Sequence, residues 1–237
     1  MAANPPIRRN QDRLLYLLAA ILVPLIVLAG FARTYYLKGL FGTPALPSLL
    51  VQLHGVVMTA WVLLFVTQIW LVASRRTKVH QRLGVLGALL SGVVIIVGVA
   101  TAIAAAQRGS TPGPSALQFL VVPLGDMFVF GILIGLALYY RRRLAAHKRL
   151  MLLAAVSLLT PAIARIPLHF IATGGPLVFF GLNDICILAC VAVDTVKHRR
   201  LHPVFLWGTL LVIATHPLRI LLASTDVWLR FASWLVS

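Results

Sequence analysis

Histidine is the chemistry-bearing residue of this chain. Seven histidines lie within or beside long apolar runs. Imidazole in apolar surroundings is a ligand for haem iron and for zinc, copper or non-haem iron. The segment Leu53–Gly84 reads LHGVVMTAWVLLFVTQIWLVASRRTKVHQRLG. It places His54 near the start of one apolar run and His80, after a basic turn, at the mouth of the next. If both runs cross a membrane, one imidazole stands near each face.

The other polar residues inside apolar runs fall into two groups. Near one face lie His54, Asn183 and Asp184, the pair Arg165 and His169, and the pair His216 and Arg219. At 1.5 Å per residue they sit roughly 3–12 Å below that boundary. Arg165 and His169 are spaced i,i+4 and His216 and Arg219 i,i+3, so each pair is expected to share a helix face. Asp126 lies deeper, and Arg33 with Tyr35 and Tyr36 closes the first run at the rim. Pro161, Pro167 and Pro217 free backbone carbonyls in the same region, which suits a lined cavity. Near the other face lie His80, His147, His198 and His202. His80 and His147 introduce apolar helices in the same way (HQRLG and HKRLM). His198 and His202 flank a basic turn and read as solvated or lipid-facing.

Three chemistries suit these sets. Two layers of histidine serve electron transfer through b-type haem, with guanidiniums pairing haem propionates. His54, His169 and His216, with Asp184 as ligand or base, are a possible three-histidine site for zinc, copper or iron. Alternatively Arg165, Arg219 and Arg33 hold an anionic or quinone-like ligand in a carrier, sensor or assembly factor. In a purely structural reading Arg165 or Arg219 neutralises Asp184 or Asp126. The spacing assigns no catalytic residue.

The elements that must position these residues are transmembrane helices. The chain is 60% hydrophobic and 11% charged, with a mean hydropathy of +0.97. A soluble domain needs more charge to cover its surface. Seven runs reach the ~20 residues needed to span a bilayer: about 14–37, 48–73, 83–106, 116–140, 150–173, 177–196 and 204–222. The expected fold is all-α, a polytopic integral membrane bundle of seven transmembrane helices forming a single domain over 1–237. A short interfacial helix at Asp226–Ser237 carries Trp228, Phe231 and Trp234.

If seven helices alternate, 15 of the 21 basic residues fall on one side. The positive-inside rule makes that side cytoplasmic, with the N-terminus inside and the C-terminus outside a bacterial inner membrane. The opposite turns carry Gly and Pro instead, at 42–47, 109–114 and 174–176. The first run continues past any small-residue cleavage site and reads as a retained helix.

The net charge of +16 follows from topology and anionic lipid rather than nucleic acid, because no stacking aromatics surround the basic clusters. Cys186 and Cys190 read as small buried side chains. Nucleotide loops and hydrolase triads are lacking. With five acids, a calcium or magnesium cage is excluded. The partners implied are the lipid bilayer and a quinol or other small-molecule ligand, with a homo-oligomer compatible.

LHGVVMTAW, the basic turn, VHQRLG and the following IIVG together resemble the core of the cytochrome b561 superfamily. A looser likeness is to bacterial membrane proteins with an HG…Q…H-x-x-LG pattern. The resemblance covers 53–106 and extends weakly over 147–166. It implies a haem-binding helical core, with His54 and His80 as ligands and His147 as the partner of His80. The family pairs its first histidine with one on the next helix, where this chain has LGDMFVFG with Asp126 and Met127. His169 or His216 would then take that place.

Overall fold

The structure is a computed structural model describing the backbone of residues 6–111 and 115–237, and side chains from Arg13 onward. The side chains of Arg8 and Arg9, and residues 112–114 of the second Gly-Pro turn, lie outside the described residues. Among those described there are ten α-helices and no strand. They are α1 (Pro6–Phe31), α2 (Leu49–Ala73), α3 (Thr77–Gln107), α4 (Ala116–Phe119), α5 (Val121–Tyr139), α6 (Leu144–Ser157), α7 (Thr160–Ile163), α8 (His169–His198), α9 (Pro203–Ala223) and α10 (Asp226–Val236). A π-helical turn, Ala32–Tyr36, ends α1.

Counting α4–α5 and α6–α7 as continuous, seven helices are long and apolar enough to cross a membrane. This is a polytopic all-α membrane bundle. The helices alternate in direction, so the basic turns at 74–76, 140–143 and 199–202 gather at one end. Arg75 (φ 60°) and Arg199 (φ 55°) take left-handed backbone that lets two of these turns be short.

The fifth span, α6–α7, is the axis of the bundle. It touches α1, α8 and neighbouring spans on every side. Of its central window 78% is buried, against 44% or less for the others. Leu152, Leu153 and Ala154 are fully enclosed. Pro161 lacks the amide that would continue the α6 ladder, and the helix breaks at Leu158–Leu159.

One boundary differs from the sequence expectation. The fifth and sixth spans separate at residues 164–168, where Pro167 stops the helix, and not at 174–176. Gly174–Pro176 instead lies inside α8 as a kink, with Gly175 at φ 61°, a conformation open to glycine. His169 therefore opens α8 rather than sitting within the fifth span. Arg165 lies in the turn, so the helix-face relationship expected of Arg165 and His169 does not form.

α10 closes the non-basic end. Trp228 Nε1 donates to the Leu117 carbonyl at 2.9 Å and Gln107 Nε2 donates to the Val236 carbonyl at 3.1 Å. Trp228 and Ala232 are buried against Ala102, Ala106, Leu120 and Val121. Trp234 and Val227 point away, as an amphipathic end helix requires.

Candidate functional site

At the basic end two imidazoles face one another across the bundle. His80 stands in the first turn of α3 and His147 in the first turn of α6, with ring centroids 6.4 Å apart and planes at 74°. The antiparallel alternation explains the meeting, because it brings the starts of α3 and α6 to the ends of α2 and α5. Those ends supply the supports. His147 Nδ1 donates to the Ala137 carbonyl of α5 at 2.8 Å, which leaves its Nε2 as the lone-pair nitrogen. Gln68 of α2 lies against His80. With its amide nitrogen turned towards α3, it donates to His80 Nδ1 at 2.6 Å while its oxygen accepts from the Gly84 amide at 3.1 Å. The opposite amide orientation would accept from an Nδ1–H, the tautomer that frees Nε2.

The spacing suits an ion between the rings. Metal–nitrogen bonds of about 2.0 Å on each side hold two imidazole centroids roughly 6 Å apart. An oriented Nδ1–H with a free Nε2 is the usual outer-shell arrangement of metal-binding histidine; His147 has it, and His80 takes it only with the opposite Gln68 amide orientation.

At the non-basic end the expected residues divide into separate contacts. Arg219 of α9 forms a buried ion pair with Asp126 of α5. Arg219 also donates to Thr215 Oγ1 at 3.2 Å and lies over the Phe180 ring. Gly125 admits this guanidinium: a Cβ there would clash with Arg219 Nε. Arg219, expected to meet propionates or substrate, is thus committed to Asp126, as the structural alternative anticipates.

His216 stacks on Phe180 at 4.3 Å and its Nδ1 lies 2.8 Å from Asp184 Oδ1, off the direction of a good hydrogen bond. Asn183 is fully buried, and its Nδ2 donates to Thr160 Oγ1 at 2.7 Å and to the Ser157 carbonyl at 3.4 Å. Ser157 is the carbonyl that Pro161 leaves without an amide four residues on.

His54 lies beside the α1–α2 crossing. Gly55 makes that crossing possible, since a Cβ on it would clash with the Tyr35 ring and hydroxyl. Tyr36 and Thr59 hydroxyls meet at 2.9 Å. His54 Nδ1 is buried without a partner and interacts electrostatically with Arg165. Arg165 itself donates to the Pro161 carbonyl at 2.9 Å and covers the Phe31 ring. His169 is exposed at the start of α8. Hence His54, His169, His216 and Asp184 do not converge, and only His216 and Asp184 adjoin. Among the described residues no group of three or more His, Cys, Asp or Glu is arranged to hold a metal ion.

Two features escape a reading of the sequence. Arg149, one of the basic-turn residues, is buried and paired with Asp194 at 2.8 Å. Asp194 also receives His198 Nδ1 at its carbonyl, at 2.8 Å. The signal was present in the acid count: with five acids in the chain, one buried at the end of a span must have a cation beside it. The second feature is Gln68 as the support of His80. Its spacing from His80 spans a turn, so only the α2–α3 hairpin shows it. Cys186 and Cys190 are free thiols packed against the core.

No protein-family model matches the chain, and no match was found among curated proteins or solved structures.

Proposed function

We propose that the protein is a membrane redox protein that holds one b-type haem between His80 and His147 at the basic end. The supporting observation is the facing pair of imidazoles, each steadied through Nδ1 by a neighbouring helix. Haem needs no more than two ligands from the protein, and a pair of histidines is what stands here among the described residues. Haem supplies reversible one-electron chemistry when bound. His80 and His147 would hold it, while Ala137 and Gln68 orient the two rings. This narrows the two-haem arrangement implied by the cytochrome b561 likeness, because the non-basic end has no facing histidine pair.

The orientation follows from the charge asymmetry: the basic end, and the N-terminus, in the cytoplasm of a bacterial cell, with electrons passing between a cytosolic or quinol donor and an acceptor. A second reading, a small-ligand carrier or sensor, is favoured by the other end. His54 Nδ1, Asp126 Oδ2, Asn183 Oδ1 and Arg219 Nε are buried there without partners. Buried polar atoms call for a partner, which a hydroxylated ligand or ordered water supplies.

The test is an absorption spectrum of detergent-purified protein, oxidised and dithionite-reduced, with metal analysis of the same sample. The haem reading expects a Soret band that shifts on reduction and is lost in His80→Ala and His147→Ala but kept in His54→Ala. A colourless, iron-free sample from haem-supplied cells sinks it. In that case His54→Ala, altering quinol-analogue affinity without any colour, would carry the second reading.

A further inference from the structure

A pocket of about 160 Å³ opens at the basic end where the start of α6 meets the turn from α8 to α9. It holds several times the roughly 30 Å³ that one water occupies in the liquid. Ala145, Lys148, Arg149, His198, Arg200 and His202 line it, so five of six lining residues are basic. We infer that this pocket binds a phosphate group, presented either by an anionic phospholipid or by a soluble phosphate.

The lining is a built arrangement rather than a spread of surface charge. Arg149 is locked: its Nε and a terminal nitrogen engage Asp194 at 2.9 and 2.8 Å, and its other terminal nitrogen donates to the Ala145 carbonyl at 2.8 Å. Asp194 is engaged by Arg149 and His198 and is itself buried. Arg200, with no acid beside it among the described residues, adds positive charge to the pocket.

His202 adds a second donor to the lining. Its Nδ1 accepts the Val204 amide at 3.2 Å as the cap of α9. Neutral His202 must then carry its proton on Nε2. Burial, and then Arg149, hold its pKa below the ordinary imidazole value, while Asp194 opposes the shift. An arriving anion reverses the cation effect and strengthens the donor.

Phosphate matches this lining because it offers three or more acceptor oxygens and up to two negative charges to cations converging from separate segments. A basic pocket between helices beside a membrane surface is also the setting in which lipid headgroups are held. The inference is independent of haem: Lys148 and Arg149 leave α6 on a different side from His147.

The experiment uses the full chain in a neutral detergent, with binding of phosphatidylglycerol, phosphatidylcholine and inorganic phosphate followed by intrinsic fluorescence and thermal stabilisation. Phosphatidylglycerol is expected to bind and phosphatidylcholine not to. Arg200→Gln and, separately, His202→Gln should each weaken binding roughly tenfold. Arg142→Gln, an equal charge change on an exposed basic turn, should weaken it less than about twofold. Saturation or competition by inorganic phosphate assigns the site to a soluble phosphate; its failure to compete assigns the site to the lipid headgroup. The inference is overturned if neither anion binds, or if Arg142→Gln weakens binding as much as Arg200→Gln. Arg200 is exposed and supports no core packing, so its variant tests binding and not folding.

Discussion

Asn183 donates from α8 to the Ser157 carbonyl of α6, the group that Pro161 deprives of its helical amide. The same amide nitrogen bonds Thr160 Oγ1. One side chain thus bonds to both sides of a break in the buried interior of the bundle. Asn183→Ala is expected to destabilise the protein by about 1–3 kcal/mol, the cost of leaving buried polar groups unpaired. Pro161→Ala restores an amide, so Asn183→Ala should cost less in that background. Thermal unfolding in detergent over the double-mutant cycle reads the coupling; equal costs in both backgrounds would show that Asn183 acts elsewhere.

The Arg219–Asp126 pair predicts an asymmetry. Asp126→Asn or Arg219→Met alone strands a buried charge and should cost about 3–5 kcal/mol. Replacing both with apolar residues of similar size should recover most of that loss. Gly125→Ala should resemble the single breaks, because its Cβ would occupy the space of the guanidinium. Chemical denaturation of the four variants decides the matter, and an undiminished Gly125→Ala would mean that Arg219 has another route to Asp126.

Gln68 is expected to act as a positioning residue. If His80 ligates haem through Nε2, its Nδ1–H must face the Gln68 oxygen, the amide orientation opposite to the one that donates to His80 Nδ1; Gln68→Leu should then leave haem content near that of the wild type but lower the basicity of His80 and move the midpoint potential. Gln68→Glu, which can only accept from Nδ1–H, should move the potential the opposite way to Gln68→Leu. Potentiometric titration of the Soret band makes the comparison. No change in either variant would remove Gln68 from this role.

His202 gives a pH dependence with a definite sign. Its folded pKa lies below 6.5, lowered first by burial and then by Arg149. The fold favours the neutral ring, so this contribution is fully present above pH 6.5 and is lost as pH falls through the lowered value. Melting temperature should therefore drop on acidification, with a flatter profile in His202→Gln. An imidazole resonance of His202 titrating above 6.5 would contradict the assignment.

The architecture was legible in the sequence because bilayer thickness is a blunt ruler: seven apolar runs separated by basic turns leave few other folds. That His80 and His147 lie together was expected from the cytochrome b561 resemblance, and the two ring centroids do stand 6.4 Å apart. The break between the fifth and sixth spans was not. Gly174-Gly-Pro176 has the composition of a turn, yet in a bundle the same residues serve as a kink, and Pro167 carries the chain reversal. That shift took Arg165 and His169 off a common helix face. The partnership of Arg219 with Asp126 was one of several pairings that spacing allowed, and packing at Gly125 selected it. The Asn183–Ser157 bond had no local signal, because its two ends lie on separate helices.

The most enclosed span, α6–α7, is also the least apolar of the seven. A segment of that kind gains little from entering lipid by itself. During biogenesis it must be retained by helices already in the membrane and then be sealed by α8 and α9, which emerge later. Truncation after residue 168 is accordingly expected to leave this span poorly inserted, whereas the earlier spans hold their places. Assembly order, and not hydrophobicity, is then what commits the centre of the molecule to the bilayer.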